Sequence, residues 1–239
     1  METKTSQFNR WLVVVLFAVA MAWNESAVVL YLRTLANRLE PYQPEPLPLV
    51  AGLACAELGR ELATIVMLAT VGWLAGRCLR SRFGYFLIGF GVWDIFYYVF
   101  LRPMTHWPNS LLDWDLLFLV PLPWWGPVLA PALIALLMVA FGTMATQSSG
   151  DAAPWPGWRT GVAAGLGILL ALYVFMADAL LVAHQGVEAC RRVLPEHFNW
   201  PLFLVALALM AAPVTEMARQ LQSRRARSPV SFGDLPEGA

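Results

Sequence analysis

Gly91-Val-Trp-Asp-Ile-Phe-Tyr-Tyr98, then Asp113-Trp-Asp-Leu-Leu-Phe118, then Pro121-Leu-Pro-Trp-Trp-Gly-Pro127: the reading of the whole chain turns on this run. Between Gly91 and Pro131, three aspartates and five tryptophans stand in an apolar background punctuated by proline. Ordinary lipid-facing helix has no use for that mixture. A helix around Asp94 followed by a proline-rich break predicts a membrane segment that is built around something polar.

The rest of the chain agrees that the solvent is partly lipid. Of 239 residues, 59% are hydrophobic and 13% are charged, against about 25% charged in an average soluble domain. A soluble fold of this size could not hide so much apolar surface. The expected fold is therefore all-α, a polytopic membrane helix bundle of about six transmembrane helices with one proline-broken segment. The lipid bilayer is its first partner. Formal net charge is zero, so no basic field is available for nucleic acid.

Working outward, the predicted spans are 11–32, 49–76, 83–101, 111–145 broken at 121–126, 158–184 and 198–218. Twenty-two residues from Trp11 to Leu32 reach about 33 Å as helix, enough to cross the hydrocarbon core. Ala20-Met-Ala22 resembles a signal-peptide cleavage site. Apolar sequence resumes at Ala27, however, so an uncleaved first helix is expected. Pro41, Pro44, Pro46 and Pro48 mark a loop before the second span. Pro121, Pro123, Pro127 and Pro131 each remove a backbone donor. They predict a short helical or re-entrant piece at 111–120 before the fourth helix. Residues 219–239 read as a basic, disordered tail after the domain of residues 1–218.

Six spans put both termini on one side. That side carries Lys4, Arg10, Arg77, Arg80, Arg82, Arg159, Arg219, Arg224, Arg225 and Arg227, and the other carries Arg33, Arg38, Arg102, Arg191 and Arg192. Ten against five places both termini in the cytoplasm by the positive-inside rule. One lysine among so many arginines, with abundant Ala, Leu and Pro, suggests a GC-rich bacterial genome and hence a bacterial cytoplasmic membrane.

This orientation turns scattered acids into a pattern. Glu25, Glu57, Glu61, Asp94, Asp115 and Asp178 all fall in the outer half of the bundle, as does Arg60. A carboxylate at the bilayer centre costs about 2.5–3.5 kcal/mol on insertion scales. Such groups are tolerated when they meet partners or water inside the bundle, so the seven are expected to share one ligand- or ion-binding pocket. Glu57 and Glu61 lie one turn apart on one helix face, with Arg60 as the obvious counter-ion. Arg60 is also the expected cross-bundle partner of Glu25, since Arg33 is expected at the surface. Trp93, Tyr97 and Tyr98 are read as supporting aromatics around Asp94, or as an interfacial belt.

Other signals are weaker. Cys55, Cys78 and Cys190 show no metal or redox spacing. His184 and Glu188 share a four-residue spacing without a second such pair, so no metal site is expected. No Gly-x-Ser-x-Gly, His-Glu-x-x-His or Walker motif is present, so catalytic residues and cofactors stay unassigned. Two function classes lead. One is a protein that binds or carries a cation, proton or small polar solute. The other is a membrane enzyme acting on a lipid or isoprenoid, with the same carboxylates as acid and base. A structural or assembly subunit is the third.

Overall fold

In the computed structural model, residues 4–35, 40–43, 51–119, 121–147 and 155–227 are described. The helices are α1 (Lys4–Leu35), α2 (Ala51–Ala75), α3 (Leu79–Thr105), α4 (Leu129–Gln147), α5 (Trp158–Val182), α6 (Val187–Arg192) and α7 (Trp200–Arg227). Six of them, all but α6, are long and apolar enough to cross a membrane. They run up and down, so Lys4 and Arg227 lie at the same end of the bundle. That end is called the terminal end below, and the opposite one the hairpin end.

The name comes from the largest departure from expectation. The described residues of 114–127 are neither helix nor broken helix. They form an antiparallel pair, β1 (Trp114–Phe118) and β2 (Trp124–Pro127), with Trp114 opposite Pro127 and Asp115 opposite Gly126. The physical reason is the one that broke the helix. Prolines cannot donate to a helical ladder. Tryptophan and phenylalanine, by contrast, suit a pleated surface, and Pro127 sits at a strand end, where its missing donor costs little. The loop before β1 also closes on the start of α4: the Val128 N–H donates to the Asp113 carbonyl at 3.0 Å and the Leu129 N–H to the Leu111 carbonyl at 2.8 Å.

Two further differences are smaller. The third helix continues through Pro103 to Thr105 rather than stopping near Leu101. The last helix continues to Arg227, so residues 219–227 are helical rather than tail. The remaining tail, 228–239, and the prolines at 44, 46 and 48 lie outside the described residues.

Packing divides the bundle into two halves joined mainly along one seam. In the first half, Val14, Ala18, Met21 and Ala22 of α1 and Leu68 of α2 bury against Tyr85, Ile88, Val92 and Trp93 of α3. In the second, Ala130 of α4 packs with Ala171, Val174 and Phe175 of α5 and Phe203 and Ala206 of α7. The seam is α3 against α4, made close by glycine. A Cβ on Gly91 would stand 2.5 Å from the Ala135 carbonyl oxygen, and one on Gly142 would run into the Gly84 carbonyl. Small residues of this kind let backbones touch where lipid gives helices no hydrophobic reason to associate.

Hydrogen bonds at the terminal end fasten the first half to itself and to α4. Arg10 donates to the Ala75 carbonyl at 3.1 Å, and the Trp11 indole donates to the Thr143 hydroxyl at 3.1 Å. The second half is closed by Glu216, which accepts from the Gly157 N–H at 2.9 Å and from the Thr160 hydroxyl at the start of α5. The acid at the terminal end is thus a helix-end partner.

Candidate functional site

Where the two halves part, toward the hairpin end, they enclose a cavity of about 990 Å³. Its charged wall begins on α2. Glu57, Arg60, Glu61 and Thr64 recur at three- and four-residue spacing, so they share a face, and all four line the cavity. The Arg60 Nε donates to the Glu57 carboxylate at 3.0 Å. A second guanidinium nitrogen pairs with the same carboxylate, and the third reaches across to Glu25 on α1. Arg60 therefore bridges two carboxylates on two helices. The Ser26 hydroxyl, next to Glu25, lies 3.0 Å from the Tyr97 carbonyl oxygen and ties this level of α1 to α3.

A second ion pair stands nearer the hairpin end. Arg33, two turns beyond Glu25 on α1, lies 3.4 Å from Asp115 of β1. The Tyr98 hydroxyl donates to the other Asp115 oxygen at 3.1 Å. Asp115 is only 2% exposed. The Arg33 guanidinium also lies 4.5 Å from the centre of the Trp107 ring, a stacking that suits its planar cation.

Asp94 lies on α3 one turn before Tyr97 and Tyr98. One of its carboxylate oxygens is buried and has no hydrogen-bond partner among the described residues. The indole N–H groups of Trp93 and Trp124 are in the same condition. All three residues line the cavity. Buried polar atoms are normally satisfied, so three orphans around one space mark it as a place for something polar. Glu61 and Leu119 of the hairpin segment both line the cavity.

Glu25, Glu57, Arg60, Glu61, Asp94 and Asp115, with Trp93, Tyr97 and Tyr98, all line this cavity. Asp178 does not. It sits half-buried on α5, with Glu196 and His197 of the link to α7 as its charged neighbours. Asp113 is a loop partner, accepting from the Asn109 N–H at 2.7 Å and the Ser110 N–H at 3.2 Å.

Arg33 corrects an expectation. Read as a surface residue, it lines the cavity and pairs with Asp115. Its spacing from Glu25, with Val29 between them on the same helix flank, was the available signal. The opposite wall is apolar and came from no motif: Leu117 and Leu122 of the hairpin segment, Ile134 and Met138 of α4, and Ile168 and Leu172 of α5. Among the described residues no group of three or more His, Cys, Asp or Glu is arranged to hold a metal ion. No protein-family model, curated protein or solved structure matches the chain.

Proposed function

We propose that this multi-pass membrane protein binds a positively charged solute in the cavity and carries it between the bilayer's two faces. The observation that supports this is the charge balance of the wall. Five carboxylates (Glu25, Glu57, Glu61, Asp94 and Asp115) meet two guanidiniums (Arg33 and Arg60), an excess of three acids when all are ionised. Intramembrane acids are costly and mark pathways and sites. An excess that the chain does not neutralise itself calls for a cation or for protons. Aromatic faces at Trp93, Tyr97 and Tyr98 add attraction for an organic ammonium ion.

In this reading Asp94 makes the direct contact. The Glu25–Arg60–Glu57 bridge and the Arg33–Asp115 pair set the potential of the cavity that it faces. The termini face the cytoplasm of a bacterial cell. The test is uptake of labelled methylammonium and tetramethylammonium by liposomes holding the purified protein. Asp94→Asn and Glu57→Gln should each lower uptake about tenfold, a loss of roughly 1.4 kcal/mol in binding; the melting temperature should stay nearly unchanged for Asp94→Asn and fall for Glu57→Gln, which weakens the Arg60 bridge. Uptake no faster than in protein-free liposomes, or equal in both variants, would overturn the proposal.

A second reading has one observation in its favour, the apolar wall beside the acids. A membrane enzyme acting on a lipid would use the same carboxylates as general acid and base. It predicts an Asp94-dependent product when the protein is incubated with a lipid extract and followed by mass spectrometry.

A further inference from the structure

The cavity is far larger than a simple cation needs. Its volume of about 990 Å³ lies at the top of the roughly 300–1,000 Å³ range of pockets that hold whole organic ligands. Its two walls also differ in kind. The acids and their arginines come from α1, α2, α3 and β1, whereas α4 and α5 contribute Ile134, Met138, Ile168 and Leu172. A small hydrated ion would leave the second wall in contact with water, which apolar surface disfavours.

From these walls we infer that the ligand is an amphiphile with an ammonium head and an apolar body, bound head-first at Asp94 with its body along α4 and α5. This rests on the cation-binding reading above and narrows it to a ligand class.

Three features of the site support that class. The head meets an unpartnered Asp94 oxygen and the rings of Trp93 and Tyr97, a setting for ammonium by both charge and cation–π attraction. The head carries no phosphate, because both cavity arginines already engage carboxylates: Arg60 holds Glu25 and Glu57, and Arg33 holds Asp115. The route in lies between α2 and α5, which flank the cavity on either side of the α3–α4 seam. Among the described residues, these two helices have no Cα atoms within 8 Å of each other. A molecule dissolved in the bilayer reaches the apolar wall through that gap without crossing the charged one.

The experiment uses the full chain in lipid nanodiscs and a dodecylamine bearing a diazirine at the far end of its chain. Illumination should label the peptides that hold Met138, Ile168 or Leu172. Excess dodecylamine should remove that label, and methylammonium at equal concentration should not. The same chain with a carboxylate head should label at background. Asp94→Asn should reduce labelling about tenfold. Leu172→Trp, which fills the apolar wall, should block labelling by the long amine.

If methylammonium competes as well as dodecylamine, the amphiphile inference falls and the cation reading stands. If the carboxylate probe labels the same peptides, or if labelling survives both Asp94→Asn and Glu57→Gln, both fall. A disulfide between Leu62→Cys residues of two copies, formed equally with and without amine, would assign the gap to a second copy and overturn the lateral route.

Discussion

Arg60 shows how one side chain can hold a membrane site together. Its planar fork presents several donors in fixed directions, and it spends them on Glu57 of its own helix and Glu25 of the neighbour. Replacing it with alanine leaves two buried carboxylates facing each other. Breaking a buried pair costs about 3–5 kcal/mol; because the Arg60 side chain keeps 23% exposure, a loss of about 3 kcal/mol is expected. Thermal unfolding in detergent checks it. The double variant Arg60→Met, Glu25→Met should recover part of that loss, because fewer unpaired charges remain, and failure to recover would place the Arg60 contribution elsewhere. Asp94 is the contrasting case. Its orphan oxygen contributes no internal hydrogen bond, so Asp94→Asn should cost little stability while changing what the cavity binds. A residue that lowers binding without lowering stability behaves as a site residue and not as a packing residue.

At the scale of elements, the hairpin is the piece that makes the cavity a chamber. It brings Asp115 to Arg33 and Tyr98 and seats Leu117 and Trp124 against the second-half core. A Cβ at Gly126 would stand 2.7 Å from a Phe175 ring carbon, so this strand approaches α5 at backbone distance. Gly126→Val should therefore push the hairpin off α5 at about 1–3 kcal/mol, the usual cost of overpacking. Protease accessibility of residues 114–127 in nanodiscs should rise with it, while the six-helix circular dichroism signal is kept. A variant that stayed protected would mean that Phe175 swings aside without moving the strand. The expected helical or re-entrant piece failed at this element for a local reason with a long-range answer. The prolines ruled out helix, and pairing with a second strand made an alternative tolerable at membrane depth.

For the whole molecule, the arginine asymmetry and the even number of crossings make a joint prediction about topology. Cys78, exposed in the α2–α3 turn, is a native reporter at the terminal end. Hydrogen bonds from Ser81 hold its thiol below the ordinary cysteine range. The thiolate is the reactive form, so a lowered value means that labelling accelerates at a lower pH than for a free thiol. With Cys55→Ser and Cys190→Ser in place, a membrane-impermeant maleimide should label Cys78 in inside-out vesicles and not in intact cells. Labelling in intact cells would reverse the assigned orientation. Cys78 with Ser81→Ala should need a higher pH for the same rate.

The membrane class, the six crossings and the crowding of acids toward one end were all legible in the amino-acid order. Each depends on quantities a linear chain carries by itself: apolar length, scarcity of charge and position along a span. Even the Arg60–Glu25 pair could be anticipated, because a buried acid at that depth had one arginine within reach. Helix rotation could not be read in the same way. In lipid both the inward and the outward faces of a helix are apolar, so no amphipathic stripe says which way Asp178 or Arg33 turns. The tertiary structure turned Arg33 inward to Asp115 and left Asp178 outside the cavity. It also decided that the tryptophan-and-proline run of 114–127 is a hairpin. That choice is made by the partners of its backbone donors and acceptors, and those partners lie on other elements of the chain.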